Sequence, residues 1–417
     1  MAQDKDQKTL NVPPLRFPGF SDEWKKTTLG EIGSGFNYGL NAPAKEFDGV
    51  NKYIRITDID DSSGAYIKDN EVSPNGILTQ DYIVQDNDIL LARTGASTGK
   101  SYLYNPNDGK LYFAGFLIRF NVSSANPYFV YSILHTRNYW KWVSIMSARS
   151  GQPGINSQEY SSYSLNIPSQ EEQDRIASLL QLLDERIATQ NKIIEDLKKL
   201  KSAIIDKVFC LPSEKQPNKR LDGFNDDWEI VKLSEICERM TDRNSDLKCN
   251  LVLTIAAQYG LVSQLDFFNK SVASENLSSY FVLKKGDFAY NKSYSGEYIW
   301  GAIKKLDYYE EGVLSPLYIC FRLNKNMINS DFLAFYFESK KWHRGISEIA
   351  GEGARNHGLL NISVIDFFNT IHRIPSLSEQ ISIASLLQTY QNKINNEERL
   401  LLQYQTQRKF LLSTMFI

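Results

Sequence analysis

The chain has 417 residues, 42% hydrophobic and 23% charged, a balance that suits folded protein and argues against wholesale disorder. With 47 basic and 49 acidic residues the net charge is −2. That excludes nucleic-acid binding through a basic tail or a uniformly basic body, but not through a local basic patch. Mean hydropathy is −0.37, and no stretch approaches ~18 uninterrupted apolar residues, so no membrane span is expected.

The polar segment Met1 to Lys8 lacks the apolar run of a secretory signal. Cys210, Cys237, Cys249 and Cys320 form no CxxC pair, which argues against a zinc ribbon and a disulfide scaffold. A reducing cytoplasm is the expected compartment.

Along the chain, the first region reads as strand-rich. Tyr53 to Thr57 alternates at period two, and Asp88 to Ala92 and Leu111 to Phe120 are apolar, β-like runs. A helix is expected after Asn126, a good N-cap followed by Pro127 at the first helical position, running to about Met146. Next comes a long helix. Ser169 with Glu172 makes a capping-box pattern, and the apolar steps then alternate four and three: Ile176, Leu180, Leu183, Ile187, Gln190, Ile194, Leu197, Lys201, Ile204, Val208. This is a heptad seam. A linker from Leu211 to Lys219, with Pro212 and Pro217, breaks the chain.

The second half repeats the first. Phe20-Ser21-Asp22-Glu23-Trp24 returns as Phe224-Asn225-Asp226-Asp227-Trp228, and Ile176-Ala177-Ser178-Leu179-Leu180-Gln181 returns letter for letter at Ile383 to Gln388. Several anchors in one order mark a duplication of half the chain, and not a solenoid of ~20–50-residue units. The first half's helix has its counterpart near Asp331 to Ile346. Ser376 and Glu379 repeat the capping pattern. The second seam is Ile383, Leu387, Tyr390, Ile394, Glu397, Leu401, Tyr404, Arg408, Leu411, Met415.

The expected architecture is α+β, with pseudo-two-fold internal duplication. Two similar, mixed, strand-rich domains at 15–166 and 220–373 are separated by long helices at 167–210 and 374–417, with a linker at 211–219. Antiparallel pairing of the helices into a coiled coil places Lys201 against Glu397 and Gln190 against Arg408. These four polar seam residues either fix the register or extend their long side chains outward to water.

Arg93-Thr94-Gly95-Ala96-Ser97-Thr98-Gly99-Lys100-Ser101 resembles a phosphate loop, but its spacing is one residue short of GxxxxGK[ST]. The second half offers Asn291-Lys292-Ser293-Tyr294, without a glycine-lysine pair. Nucleotide hydrolysis is therefore rejected. Either the loop presents Arg93, Thr94, Ser97 and Lys100 to phosphate or bases, or it is an ordinary glycine-rich hairpin. A second polar loop, Ser150 to Asn156, carries Gln152 and Asn156, residue types that pair with adenine edges. Its counterpart, Gly351 to Asn361, carries Arg355 and Asn356, and Arg is the commonest reader of guanine. The DNA-binding candidates are Arg93, Thr94, Ser97, Lys100, Ser150, Gln152, Asn156, Asn291, Lys292, Ser293, Tyr294, Arg355 and Asn356. The histidines show no metal-ligand spacing, and no catalytic set emerges.

These residues resemble the specificity subunit of type I restriction-modification enzymes over nearly the whole chain, Leu15 to Phe416. The resemblance rests on Phe17-Pro18-Gly19-Phe20 with Trp24 and on the Arg93 to Lys100 stretch. Its most specific part is Ile167-Pro168 with Glu172-Gln173, repeated as Ile374-Pro375 with Glu379-Gln380. It implies two target recognition domains, each reading half of a split double-stranded DNA site, with the coiled coil setting the gap. It implies a non-catalytic chain that holds no cofactor or metal. Two methyltransferase subunits using S-adenosylmethionine would methylate adenines, and motor subunits using ATP and Mg would restrict DNA, with no membrane partner. The alternative from another class is a duplicated coiled-coil adaptor that binds proteins and no DNA.

Overall fold

The computed structural model describes residues 11–148, 153–256, 259–268, 276–294, 298–324, 326–351 and 358–417. The chain divides into two compact units, one of residues 1–192 with 399–417, the other of 193–398. The long helices Gln170–Val208 and Leu377–Thr414 each lend one stretch to either unit.

In the first unit a four-stranded antiparallel sheet runs in the order Gly33–Tyr38, Leu117–Val122, Asp88–Ala92, Ser101–Leu103. The central strand Asp88–Ala92 is buried throughout because both of its faces are covered. Ile89 and Leu91 pack with Ile118, Phe120, Phe129 and Tyr139 on one side. Leu90 and Ala92 pack with Ile54, Tyr102, Phe113 and Leu117 on the other. The second unit repeats the order with Cys237–Arg239, Ile319–Leu323, Phe288–Asn291 and Ala302–Lys305. There Phe288 and Tyr290 face one core and Ala289 the other. In each unit a further antiparallel pair, Lys25–Thr28 with Ser164–Ile167 or Glu229–Lys232 with Ile371–Ile374, returns the chain to the start of its long helix.

Three local expectations need refinement. The helix after Asn126 is two helices, Pro127–Ile133 and Arg137–Ser147. Thr136 divides them: its Oγ1 donates to Ile133 O (2.8 Å) and accepts from the Tyr139 amide (3.3 Å), ending one helix and capping the next. The run Leu111 to Phe120 is two strands, Leu111–Phe113 and Leu117–Val122, separated by a turn. Only Tyr53 and Ile54 of the alternating Tyr53 to Thr57 segment are strand, at the end of Lys52–Ile54, since Ile56–Asp58 forms a 3-10 turn.

The Pro-Glu-Gln segments at the helix starts act differently from a capping box. Glu172 turns its carboxylate to Arg16, at 2.8 and 2.6 Å, and is 1% exposed. Gln173 donates to Pro168 O (3.0 Å) and accepts from the Asn126 amide (2.9 Å). The second copy does the same. Glu379 takes Arg220 at 2.9 and 2.8 Å, and Gln380 donates to Pro375 O (2.9 Å) and accepts from the Asn329 amide (2.8 Å). Asn126 and Asn329 cap the next helices, so each glutamine ties a long helix to the head beside it.

Every predicted seam position on both long helices is buried or half-buried. Within the first unit, Asp184 meets Arg408 and the Arg186 guanidinium lies 5.6 Å from the Tyr404 ring centre, so the two segments run antiparallel. Within the second unit, Lys198 meets Glu398 (2.6 Å) and Lys201 meets Gln391 (2.7 Å) in the same sense. The partners of the seam cations differ from the sequence reading. Lys201 donates to Glu338 and Gln391, at 2.7 Å each, and sits 4.9 Å from the Phe335 ring centre. Arg408 pairs with Asp184, which also accepts from the Tyr128 hydroxyl (2.7 Å). At 8% exposure Lys201 does not reach outward. A cation drawn in at the seam takes its partners from the head packed on it, as Lys201 does with Glu338, or from the facing helix six residues from the expected position, as with Gln391 and Asp184.

Candidate nucleic-acid interface

In the first unit the two polar loops are brought together by main chain. Thr94 bridges Gly154 in antiparallel fashion, Gly95 N donates to Pro153 O (3.0 Å), and Ile155 N donates to Arg93 O (2.9 Å). The second unit builds the same junction from different residues. Ser293 bridges Leu359, Tyr294 N donates to Gly358 O (3.1 Å), and Leu360 N donates to Lys292 O (2.9 Å). Both junctions follow the end of the equivalent central strand.

The Arg93 guanidinium lies 4.7 Å from the ring centre of Tyr38, itself 41% exposed. The Tyr38 hydroxyl accepts from the Ser157 amide (3.3 Å), and hydrogen bonding to the Ser157 side chain, then to its amide, together with Arg93 holds its pKa below the ordinary tyrosine range. Phe116 is exposed and gives its carbonyl to Arg93 N (3.0 Å). A cation, two rings and polar loop edges thus share one surface, the combination that meets phosphates and stacked bases. Tyr38 and Phe116 escape sequence reading. They stand 55 and 23 residues from Arg93 in the sequence, and nothing in their local sequence marks them as exposed.

The remaining candidates divide. Thr94 and Ser97 are half-buried on the loop. Lys100 is engaged by the exposed carboxylate of Asp61. Asn156 caps the short helix Ser157–Ser161, accepting from Glu159 N (2.9 Å) while Glu159 accepts from Asn156 N (2.9 Å), so its side chain is committed. Asn291 accepts from Ser293 N (2.9 Å), and Tyr294 is 37% exposed. Ser150, Gln152, Arg355 and Asn356 lie outside the described residues.

The glycine loop is no phosphate cradle. The amides of Gly95, Thr98, Gly99 and Lys100 donate inward, to Pro153, Gly95, Ala92 and Ser97 carbonyls. A phosphate loop needs such amides turned outward. Among the described residues no His/Cys/Asp/Glu group is arranged for a metal ion, and no helix is long and apolar enough to cross a membrane. His135 is packed, with Nδ1 2.9 Å from Tyr131 O, and burial lowers its pKa to about 4.

Residues 21–199 match the family model of the type I restriction modification DNA specificity domain. The chain is 24% identical over 356 residues to the type I restriction enzyme MjaVIII specificity subunit of Methanocaldococcus jannaschii, spanning 80% of this chain and 79% of that one. It is 28% identical over 123 residues to the putative MjaX specificity subunit of the same organism, 28% of either chain. Its fold is similar to the type I S subunit of M. genitalium, with a TM-score of 0.58 at 16% identity, covering 97% of this chain and 99% of that one. A chain from a structural study of type I R-M complex assembly gives 0.51 at 16% identity over 97% and 98%. The chain is thus similar over most of its length to a specificity subunit of a type I restriction-modification system, and within residues 21–199 it matches the DNA specificity domain of such systems.

Proposed function

We propose that this chain is a type I restriction-modification specificity subunit that reads a split DNA site, one half through each unit, and performs no chemistry itself. The recognition domains are 15–166 and 220–373. The helices at 167–210 and 374–417, joined to the domains with the linker 211–219, act as the spacer that fixes the gap. Two methyltransferase subunits using S-adenosylmethionine modify adenines at the site, and motor subunits using ATP and Mg restrict unmodified DNA. The cytoplasm, where the DNA lies, is the place of action.

One observation carries this reading. The same loop junction recurs at the end of the same strand in two units of identical sheet order, with different side chains on it: Arg93 and Thr94 in one, Lys292 and Ser293 in the other. A constant frame with variable side chains fits two readers of two sequences.

The test is methylation mapping. The chain is co-expressed with its methyltransferase partner in a methylation-free host, and modified adenines are read across the genome. A split motif with a fixed gap supports the proposal. Methylation that ignores the presence of this chain, with an active partner, moves the reading to a protein-binding adaptor.

A further inference from the structure

Two buried tyrosines close the base of the first unit's glycine loop. Tyr160 donates to Ala92 O (2.6 Å) and accepts from Gly99 N (3.2 Å). Tyr139 donates to Gly99 O (2.9 Å). Both side chains are 0% exposed. Ala92 and Gly99 are the two ends of the loop that carries Arg93, Thr94 and Ser97, and Gly99 N also donates to Ala92 O (3.0 Å). The hydroxyls therefore hold the loop's two ends to two different helices, Arg137–Ser147 and Ser157–Ser161.

Gly99 is itself fixed in place. Its φ is +93°, and an added Cβ would lie 2.7 Å from Val143 Cγ1. Only glycine fits here, and the fit brings the backbone within reach of both hydroxyls. Among its described residues the second unit lacks the arrangement. Asn156 and Ser363 cap equivalent helices, and four residues beyond each stand Tyr160 and Phe367. Thr136 and Ser339 close equivalent helices through Oγ to the carbonyl three residues back, and three residues beyond each stand Tyr139 and Trp342. Phe367 and Trp342 instead pack on Tyr290, stacked at 5.0 Å and edge-on at 6.1 Å.

We propose that Tyr139 and Tyr160 are positioning residues for the first unit's reading loop, and that their hydroxyls set base discrimination at one half-site only. The inference rests on the loop's proposed role as a reader. A loop held at both ends in a single geometry rejects a wrong base, because it cannot shift to recover lost hydrogen bonds. With a hydroxyl removed, Gly99 loses a partner and the loop gains alternative positions. The wrong base is then penalised less.

The experiment uses the full chain with its methyltransferase partner. Parent, Tyr139→Phe, Tyr160→Phe and Arg93→Ala are compared by methylation mapping and by thermal unfolding. Each Phe variant keeps its ring and packing, so both fold. Arg93→Ala identifies the half-site read by the first unit. The expected result is that the Phe variants raise methylation at sites with one altered base in that half by about threefold to tenfold, the effect of one ordinary hydrogen bond. Discrimination in the other half stays at the parent level.

Two outcomes overturn the inference. One is unchanged discrimination in the Phe variants where Arg93→Ala alters it. The other is equal loss in both half-sites, the mark of a purely structural role. If Arg93→Ala disturbs neither half, the loop is not the reader and the inference falls with it. Absence of any split motif in the parent rejects the proposed function itself.

Discussion

Replacing Gln380 by Ala tests whether the Pro-Glu-Gln segment is the joint between head and helix. Gln380 is 1% exposed and makes three hydrogen bonds to main chain, to Pro375 O (2.9 Å), Met327 O (3.2 Å) and from Asn329 N (2.8 Å). The alanine variant strands two carbonyls and one amide. Each buried, unsatisfied group costs about 1–3 kcal/mol, so the sum lies near 3–9 kcal/mol. Water entering the vacated space offsets part of it, leaving an expected loss of roughly 3–5 kcal/mol. Against a typical domain stability of about 5–15 kcal/mol, that is a large fraction. Gln380→Glu sharpens the test. At pH 7 its carboxylate still accepts from Asn329 N but faces two carbonyls, so it is expected to fold no better than the alanine variant. Below about pH 5 the carboxyl gains a proton to donate and part of the loss returns. Urea unfolding gives the stability, and hydrogen exchange of peptides from 319–390 assigns it to the second unit. A Gln380→Ala loss below 1 kcal/mol, or a Gln380→Glu protein equal to the parent at pH 7, refutes the joint.

Asp184→Ala removes the acceptor shared by Arg408 and the Tyr128 hydroxyl. It leaves a largely buried guanidinium without that partner, so a loss of about 2–4 kcal/mol is expected in the first unit, read by urea unfolding. His135, half-buried, and His372, buried, are both packed and neutral, with burial lowering their pKa values to about 4 from an ordinary 6.5. Since the unfolded chain binds protons first, stability is full above pH 6.5 and is lost as pH falls from 6.5 towards 4, by at most roughly 3 kcal/mol per histidine. Equal unfolding midpoints at pH 7.5 and pH 5 contradict this.

What could be seen in the sequence was whatever has a short period or a local partner. The four-three spacing from Ile176 to Val208 and from Ile383 to Met415 announces the long helices, because a buried stripe must recur every 3.5 residues. The break at Thr136 was hidden because its neighbours Ile133 and Tyr139 sustain helical spacing across it. Glu172 passed for half of a capping box because its true partner, Arg16, stands 156 residues away. Lys201 shows the same limit, since Glu338 belongs to a helix of the head and no seam periodicity points to it. At the candidate site both loops of each unit were legible as polar, those of the first unit also as glycine-rich. Their union through Thr94 with Gly154, and Ser293 with Leu359, was not, because main-chain pairing leaves no trace in side-chain identity.

The first unit's core draws on residues from both ends of the chain. Phe416 lies 6.3 Å from the Trp24 ring centre and 5.3 Å from that of Phe129, and Leu411, Leu412 and Met415 pack into the same core. On the ribosome, residues up to Lys192 emerge well before Leu411. At ~5–20 residues per second the delay is on the order of tens of seconds. Throughout that interval Trp24 and Phe129 lack their final cover. The segment around Trp24 and Phe129 is thus made early and matures late, only once residues 411–416 have been made and can pack on it.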